Sequence, residues 1–249
     1  MTIKATCGVL LVSAGTAWSQ YVVGARAGTI QFTAGDVFAD AQPLRSTPKH
    51  FPFLQEGQTL RTTRGRVEML LGQGVFLRLG QQSSARLTSA SLEDTRIEIE
   101  TGKALVEVVK LNKDAHIQIR LGNTITAFTR MGVYRFDVDP GEVRVFGGEA
   151  EVSAGEKKVS LTKGKSVRCD SDLAPQRFNL KNTDSLHEWS ARRSFVTFFT
   201  TPAGRLLMNW EIQANGAAFN RDFNRKYYLR NASRAFIRNQ GGSDQIGRN

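Results

Sequence analysis

Cysteine is almost missing from this chain. Cys7 and Cys169 are the only two, and Cys7 lies in an N-terminal apolar run that reads as a cleavable leader, which leaves Cys169 as the single mature thiol. No internal disulfide is then available, even in a compartment that would permit one, so burial must hold the core together. Long apolar runs are scarce as well. After the leader no stretch approaches the roughly 20 residues of a membrane-spanning helix, and no later segment is expected to cross a bilayer. The three histidines, His50, His116 and His187, fall on a loop, a strand and a helix without metal-ligand spacing. His116 alternates with Ile117 and Ile119 and reads as a solvated strand position. No glycine-rich loop precedes a helix as a phosphate cradle would. Cys169 with His187 as a thiol pair lacks a third, orienting group, and Asp36, Asp40, Asp137 and Asp139 are explained as turn and strand-end carboxylates rather than calcium ligands. No enzyme activity, cofactor or metal is expected.

The leader itself spans Met1–Ser19. One lysine, Lys4, precedes the small and apolar run from Ala5 to Ala17, and Ala17-Trp18-Ser19 offers small residues where a signal peptidase reads. The mature chain is expected to start near Gln20, and its location to be periplasmic or secreted. Cys7 lacks the Leu-small-small setting of a lipid-attachment cysteine.

What the rest of the chain has in abundance is alternation restarted at glycine. Between Gly57 and Leu87 the runs Arg66-Val67-Glu68-Met69-Leu70-Leu71 and Gly74-Val75-Phe76-Leu77-Arg78-Leu79 place Val67, Met69, Leu71 and Val75, Leu77, Leu79 on one face each. Gly72-Gln73-Gly74 supplies the turn between them. Further Gly-led starts stand at Gly35, Gly102, Gly148 and Gly164, and Asp139-Pro140-Gly141-Glu142 predicts a hairpin joining Tyr134–Val138 to Val143–Phe146. Many short strands of this kind imply an all-β sandwich or roll of mostly antiparallel strands. Leu71, Val75, Leu77, Val106, Ile119, Phe136 and Val145 are expected inside, and Glu68, Arg78, Glu107, Arg120, Arg135 and Arg144 in solvent.

From Asn182 the pattern changes. Ser185-Leu186-His187-Glu188 has the form of a capping box, Leu186 and Trp189 share a face for packing on the β core, and Arg192 and Arg193 are placed near the end of a short helix. Beyond it Phe198, Phe199, Trp210, Phe219, Phe223, Tyr227 and Tyr228 lie among arginines and asparagines. From Arg177 to Asn249 there are 12 Lys/Arg against 5 Asp/Glu, so +7 of the formal +11 belongs to this part. The organisation expected is a leader (1–19), a β domain (27–176), a linker and short helix (177–200), and a basic aromatic tail (201–249) with a disordered end. Arg221, Phe223, Arg225, Lys226, Tyr227, Tyr228 and Arg230 are the candidate partner-binding residues, since arginine keeps its charge and stacks on rings. Phe219, Phe223 and Tyr227, at spacings of four, would equally serve as one helical stripe covering a sheet face.

Gly35-Asp36-Val37, Glu56-Gly57-Gln58-Thr59-Leu60, Gly65-Arg66-Val67-Glu68, Val75–Leu79, Ile99-Glu100-Thr101-Gly102-Lys103-Ala104 and Val145–Val152 occur in that order. Together, over roughly Ala27 to Arg168, they resemble a FecR-type domain, here as a secreted stand-alone member. The resemblance implies a β-rich extracytoplasmic module. Well-known members also carry a sigma-factor-binding segment and a transmembrane helix, which a leader replaces here. The function expected is non-catalytic binding or scaffolding in the cell envelope, with an envelope protein or glycan as partner. A component of an envelope signal-sensing system acting on a membrane partner is the alternative. Nucleic acid, which the basic tail could engage through phosphates and stacking, is disfavoured by export.

Overall fold

Period-two alternation produces strands, and the glycines produce the corners between them. The computed structural model describes residues 26–200 apart from 48, 49, 92, 113 and 171, with side chains as far as 194. The expected leader with Cys7 and the expected tail with its candidate residues Arg221 to Arg230 lie outside the described residues. The first strands are β1 (Thr29–Ala34), β2 (Val37–Ala39), β3 (Gln42–Pro43), β4 (Thr59–Thr62), β5 (Arg66–Gly72) and β6 (Val75–Leu79). They are followed by β7 (Ser83–Ala90), β8 (Asp94–Thr101), β9 (Lys103–Val108), β10 (His116–Leu121), β11 (Thr124–Phe128) and β12 (Gly132–Asp137). Last come β13 (Glu142–Gly147), β14 (Glu149–Ala154), β15 (Lys157–Thr162), β16 (Lys165–Arg168), β17 (Gln176–Arg177) and the helix α1 (Ser185–Thr200).

Two sheets result, in the orders β1-β5-β6-β9-β12-β13-β16-β17 and β15-β14-β11-β10-β8-β7-β4-β2-β3. This is the expected all-β sandwich, and its pairings are antiparallel except for β8 with β10, where Ile97 faces Ile119 in parallel register. The inner faces meet in one core in which Met69, Leu77, Val106, Phe136 and Val145 are packed with Leu60, Leu87, Ile97, Ile119 and Val152. All seven residues expected inside are buried. The turn between β5 and β6 needs its glycine: Gly74 has φ +77, and a Cβ there would come within 2.7 Å of Lys110 Cβ. The Asp139–Glu142 hairpin also forms, with Asp137 opposite Glu142.

The two outer faces differ. On the second sheet Arg61, Arg86, Arg96 and Arg120 are exposed, as alternation predicts for a solvated face, and Arg86 pairs with Glu100 at 2.9 Å. On the first sheet the expectation of solvent fails. Glu68, Arg78, Glu107 and Arg135 are 0–2% exposed, and Arg144 is half-buried, because α1 lies across this face. Leu186, Trp189 and Ala191 of the helix pack on Leu105, Val133 and Phe146 of the sheet, with Phe32, Phe178 and Leu180 around them. The sheet is thus covered on both sides, by a second sheet and by a helix.

Candidate functional site

Helix α1 meets the first sheet through charge as well as apolar packing. Its start is set by Asp184, whose Oδ1 accepts from the backbone N–H of Leu186 at 3.1 Å and of His187 at 3.3 Å. This corrects the expectation of a cap at Ser185. Asp184 takes the cap because its carboxylate satisfies two free amides at once and sits at the positive end of the helix dipole. The helix runs 16 residues, so Arg192 and Arg193 fall in its middle rather than near its end. Arg192 points to solvent, and Arg193 turns to the sheet.

A first set of charges lies under the middle of the helix. Glu68 and Arg78 are directly opposite on β5 and β6, and Arg78 Nε donates to Glu68 at 2.7 Å while its Nη1 donates to Glu107 at 2.5 Å. The helix completes the set. Arg78 also donates to Ser190 Oγ at 2.6 Å, Arg193 donates to the second Glu68 oxygen at 2.7 Å, and Ser194 Oγ donates to Glu107 at 2.5 Å. Burial alone would push the Glu68 carboxyl up, but Arg78 and Arg193 outweigh it and hold the group below its ordinary value. Glu68 is therefore a carboxylate between two guanidinium groups, which is how a buried charge is tolerated.

A second set lies under the first turn. Arg135 on β12 donates to Asp137 at 2.9 Å and to both oxygens of Asp184 at 2.8 and 2.7 Å, and Arg144 donates to Asp137 at 2.5 Å. Burial would raise Asp184, yet the bonds from His187 and Arg135 bring it well below the usual carboxylate range. His187 is buried against the Phe146 ring, with centroids 4.2 Å apart. Its Nδ1 lies 3.0 Å from Arg135 Nη1 and 3.2 Å from Asp184 Oδ1, and its buried Nε2 has no hydrogen-bond partner among the described residues. Burial, reinforced by the Arg135 charge, pulls the imidazole below its ordinary value despite Asp184, so the ring is neutral near pH 7.

The other residues weighed from sequence are placed apart. Cys169 Sγ accepts from Thr124 Oγ1 at 3.3 Å and packs on the core between the sheets, whereas His187 lies on Phe146 under α1; burial raises the Cys169 thiol. Asp36 pairs with Arg64 at 3.4 Å, Asp40 accepts from Gln58 and from the Thr59 amide, and Asp137 belongs to the Arg135 set. Among the described residues no three His, Cys, Asp or Glu side chains converge on a metal position. His50 and His116 are exposed, and no described helix is long and apolar enough to cross a membrane. Sequence reasoning missed Ser190, Arg193 and Ser194 as partners of the sheet. Part of the signal was present: Leu186, Ser190 and Arg193 share one helical stripe, but Glu68 comes opposite Arg78 only through the register shift between Leu70 and Gly72, since the turn pair Gly72–Val75 alone would face Glu68 with Leu79.

No known family's sequence profile matches the chain, and no curated protein does. Two crystal structures of a candidate anti-sigma factor from Parabacteroides distasonis are similar to it in fold. The first matches 63% of this chain and 74% of its own at 15% identity with a TM-score of 0.41. The second matches 61% of this chain and 71% of its own at 16% identity with a TM-score of 0.40.

Proposed function

We propose that the chain is a non-catalytic, extracytoplasmic FecR-like module that binds or scaffolds in the cell envelope, in the periplasm or outside it. The observation that carries this reading is the anchoring of α1. Two sets of charge-assisted bonds fix the helix on a sheet already packed from behind, and the basic aromatic segment follows this helix in the chain. The sandwich serves as a rigid base, and the segment bearing Arg221, Phe223, Arg225, Lys226, Tyr227, Tyr228 and Arg230 engages the partner. An acidic envelope protein or glycan suits those residues by charge and stacking.

The test has two parts. N-terminal sequencing of exported protein is expected to begin near Gln20, and a mature form starting at Met1 would remove the envelope assignment. Full-length protein with Arg221, Arg225, Lys226 and Arg230 changed to glutamine is expected to melt as the parent does and to lose its crosslinked partner in envelope fractions. Unchanged crosslinking sinks the proposed role of the tail.

A second reading, a component of a signal-sensing system acting on a membrane partner, is favoured by one feature. Beside Leu105, Val133 and Phe146 the face under α1 carries Glu68, Arg78, Glu107 and Arg135, so water can solvate part of it when the helix leaves, which a wholly apolar face would not allow so cheaply. Site-directed crosslinking of α1 to the first sheet in cells, lost when the sensing system is stimulated, is the result this reading expects.

A further inference from the structure

The crossover from β15 to β16 carries cations that nothing in the described structure neutralises. Lys163 stands in the turn, Lys165 begins β16, Arg177 ends β17 directly opposite Lys165, and Lys181 follows in the next turn. Two cations facing each other across a strand pair repel, and here the pair closes a strand of only two residues. The positions are nonetheless fixed. The Gly164 amide donates to the Val145 carbonyl at 2.8 Å, the Phe178 amide donates to the Gly164 carbonyl at 3.1 Å, and Asn179 Oδ1 accepts from the Lys181 amide at 2.9 Å. The carboxylates that adjoin this edge are taken. Glu149, beside the turn through its register with Thr162, pairs with Arg130 at 3.1 Å and accepts from Ser160, and Asp184 is held by Arg135. Lys163, Arg177 and Lys181 are exposed and Lys165 half-buried.

We propose that the sandwich edge formed by Lys163, Lys165, Arg177 and Lys181 docks on an anionic phospholipid surface. The four charges come from two stretches of chain, 163–165 and 177–181, that run side by side where Lys165 faces Arg177 and extend from there into a turn on either side, which fits an array of headgroup phosphates better than a single small anion. The whole chain is cationic, with a formal charge of +11, so the approach is steered before binding. Choosing lipid over nucleic acid rests on the envelope location proposed above.

The probe is phosphatidylglycerol mixed with phosphatidylcholine in vesicles, with pure phosphatidylcholine vesicles and duplex DNA alongside. Mature full-length protein is expected to sediment with the anionic vesicles only, and less so as salt rises. Changing Lys163, Lys165, Arg177 and Lys181 together to glutamine is expected to lower the partition coefficient roughly a hundredfold or more, since each juxtamembrane cation contributes about fivefold. Changing Arg61, Arg86, Arg96 and Arg120 removes the same charge from the opposite face and is expected to lower it only a few fold. If the quadruple variant melts abnormally, Lys163→Gln and Lys181→Gln, both in turns, are each expected to lose about fivefold. Parent-like partitioning of the edge variants, equal loss in the opposite-face variant, or binding to DNA in preference to vesicles overturns the proposal. The tail-neutralised protein separates the two proposals: abolished partner crosslinking with edge-dependent vesicle binding intact supports both, and partner crosslinking that survives there sinks the tail's role alone.

Discussion

Arg193 of the helix reaches Glu68 of the sheet at 2.7 Å across 125 residues of chain. Glu68 has no exposed surface and already holds Arg78, so the helix arginine is the second cation on a single buried carboxylate. Removing the carboxylate leaves two guanidinium groups without their shared anion. Glu68→Ala is therefore expected to cost about 3–5 kcal/mol, the range for breaking a buried pair from one side. Arg120→Ala, on the exposed face, is expected within about half a kcal/mol. Urea titration of both variants measures the difference, and equal losses would mean that the charges under α1 contribute nothing special.

The inner faces make a separate prediction from packing alone. Leu77 and Ile119 are fully buried, on opposite sheets of one core. Truncating either to alanine is expected to cost about 2–5 kcal/mol, the variation depending on how far the cavity collapses. Denaturant midpoints indistinguishable from the parent would show that the two sheets do not share that core.

Much of this fold is legible from residues, and the part that is not has one physical cause. Strand identity, the Gly72–Gly74 turn, the Asp139–Glu142 hairpin and the seven core positions follow from local alternation and turn chemistry, which need no knowledge of distant chain. The fate of Glu68, Arg78, Glu107 and Arg135 does not. Alternation marks the face opposite the core, but it cannot say whether water or another element covers that face. Here the cover comes from a helix far along the chain, and it matches the sheet with Ser190, Arg193 and Ser194 rather than with an apolar stripe alone. Asp184 takes the cap from Ser185 for a similar reason: its carboxylate caps the helix while also holding Arg135, a partner that only the fold brings near.

Asp184 joins the cap to the sheet, so its replacement acts on both. Asp184→Ala is expected to lose the cap, about 1 kcal/mol, and also to leave Arg135 with Asp137 as its remaining carboxylate. Asp184→Asn keeps a capping oxygen and isolates the charge. The asparagine variant is expected to fall between parent and alanine in thermal melts. Equal behaviour of the two variants would show that the charge on Asp184, not its hydrogen bonds to the helix, is what holds α1 in place.

His187 makes the protein less stable as pH falls. Burial depresses its folded value below the ordinary 6.5, so the unfolded chain binds a proton more readily than the native one. The contribution of the neutral ring is complete above about pH 6.5 and is lost as pH falls from there towards the depressed folded value. Protonation would also bring a positive ring against Arg135, with Arg144 nearby, and of the carboxylates there Asp184 is the one that contacts the ring, Asp137 being held by the two arginines. Lys103, 3.7 Å from Asp184, adds to the positive side. Stability is accordingly expected to decline from pH 7 to pH 5, and His187→Gln to flatten that slope. The carboxylates act at lower pH, since Asp184 and Glu68 are depressed and their contribution is lost only as pH falls below the ordinary carboxylate range. An unchanged slope in the glutamine variant would assign the decline elsewhere.

The division of labour between sandwich and tail is tested by a chain ending at Thr200. Every buried anchor of α1 described above, from Leu186 to Ser194, lies before that point, and so do both charge sets. On that account the shortened protein is expected to keep a single cooperative melt, with Trp189 still buried beside Phe32 and its fluorescence shifting in the same transition. The partner binding assigned to Arg221–Arg230 is expected to vanish. The competing arrangement, in which Phe219, Phe223 and Tyr227 cover a sheet face as one helical stripe, predicts the opposite. Removing them would expose apolar surface, broaden or abolish the melt, and raise binding of a hydrophobic dye. Cooperative melting without partner binding supports the tail as the docking segment, and a melt that is no longer cooperative makes it part of the core.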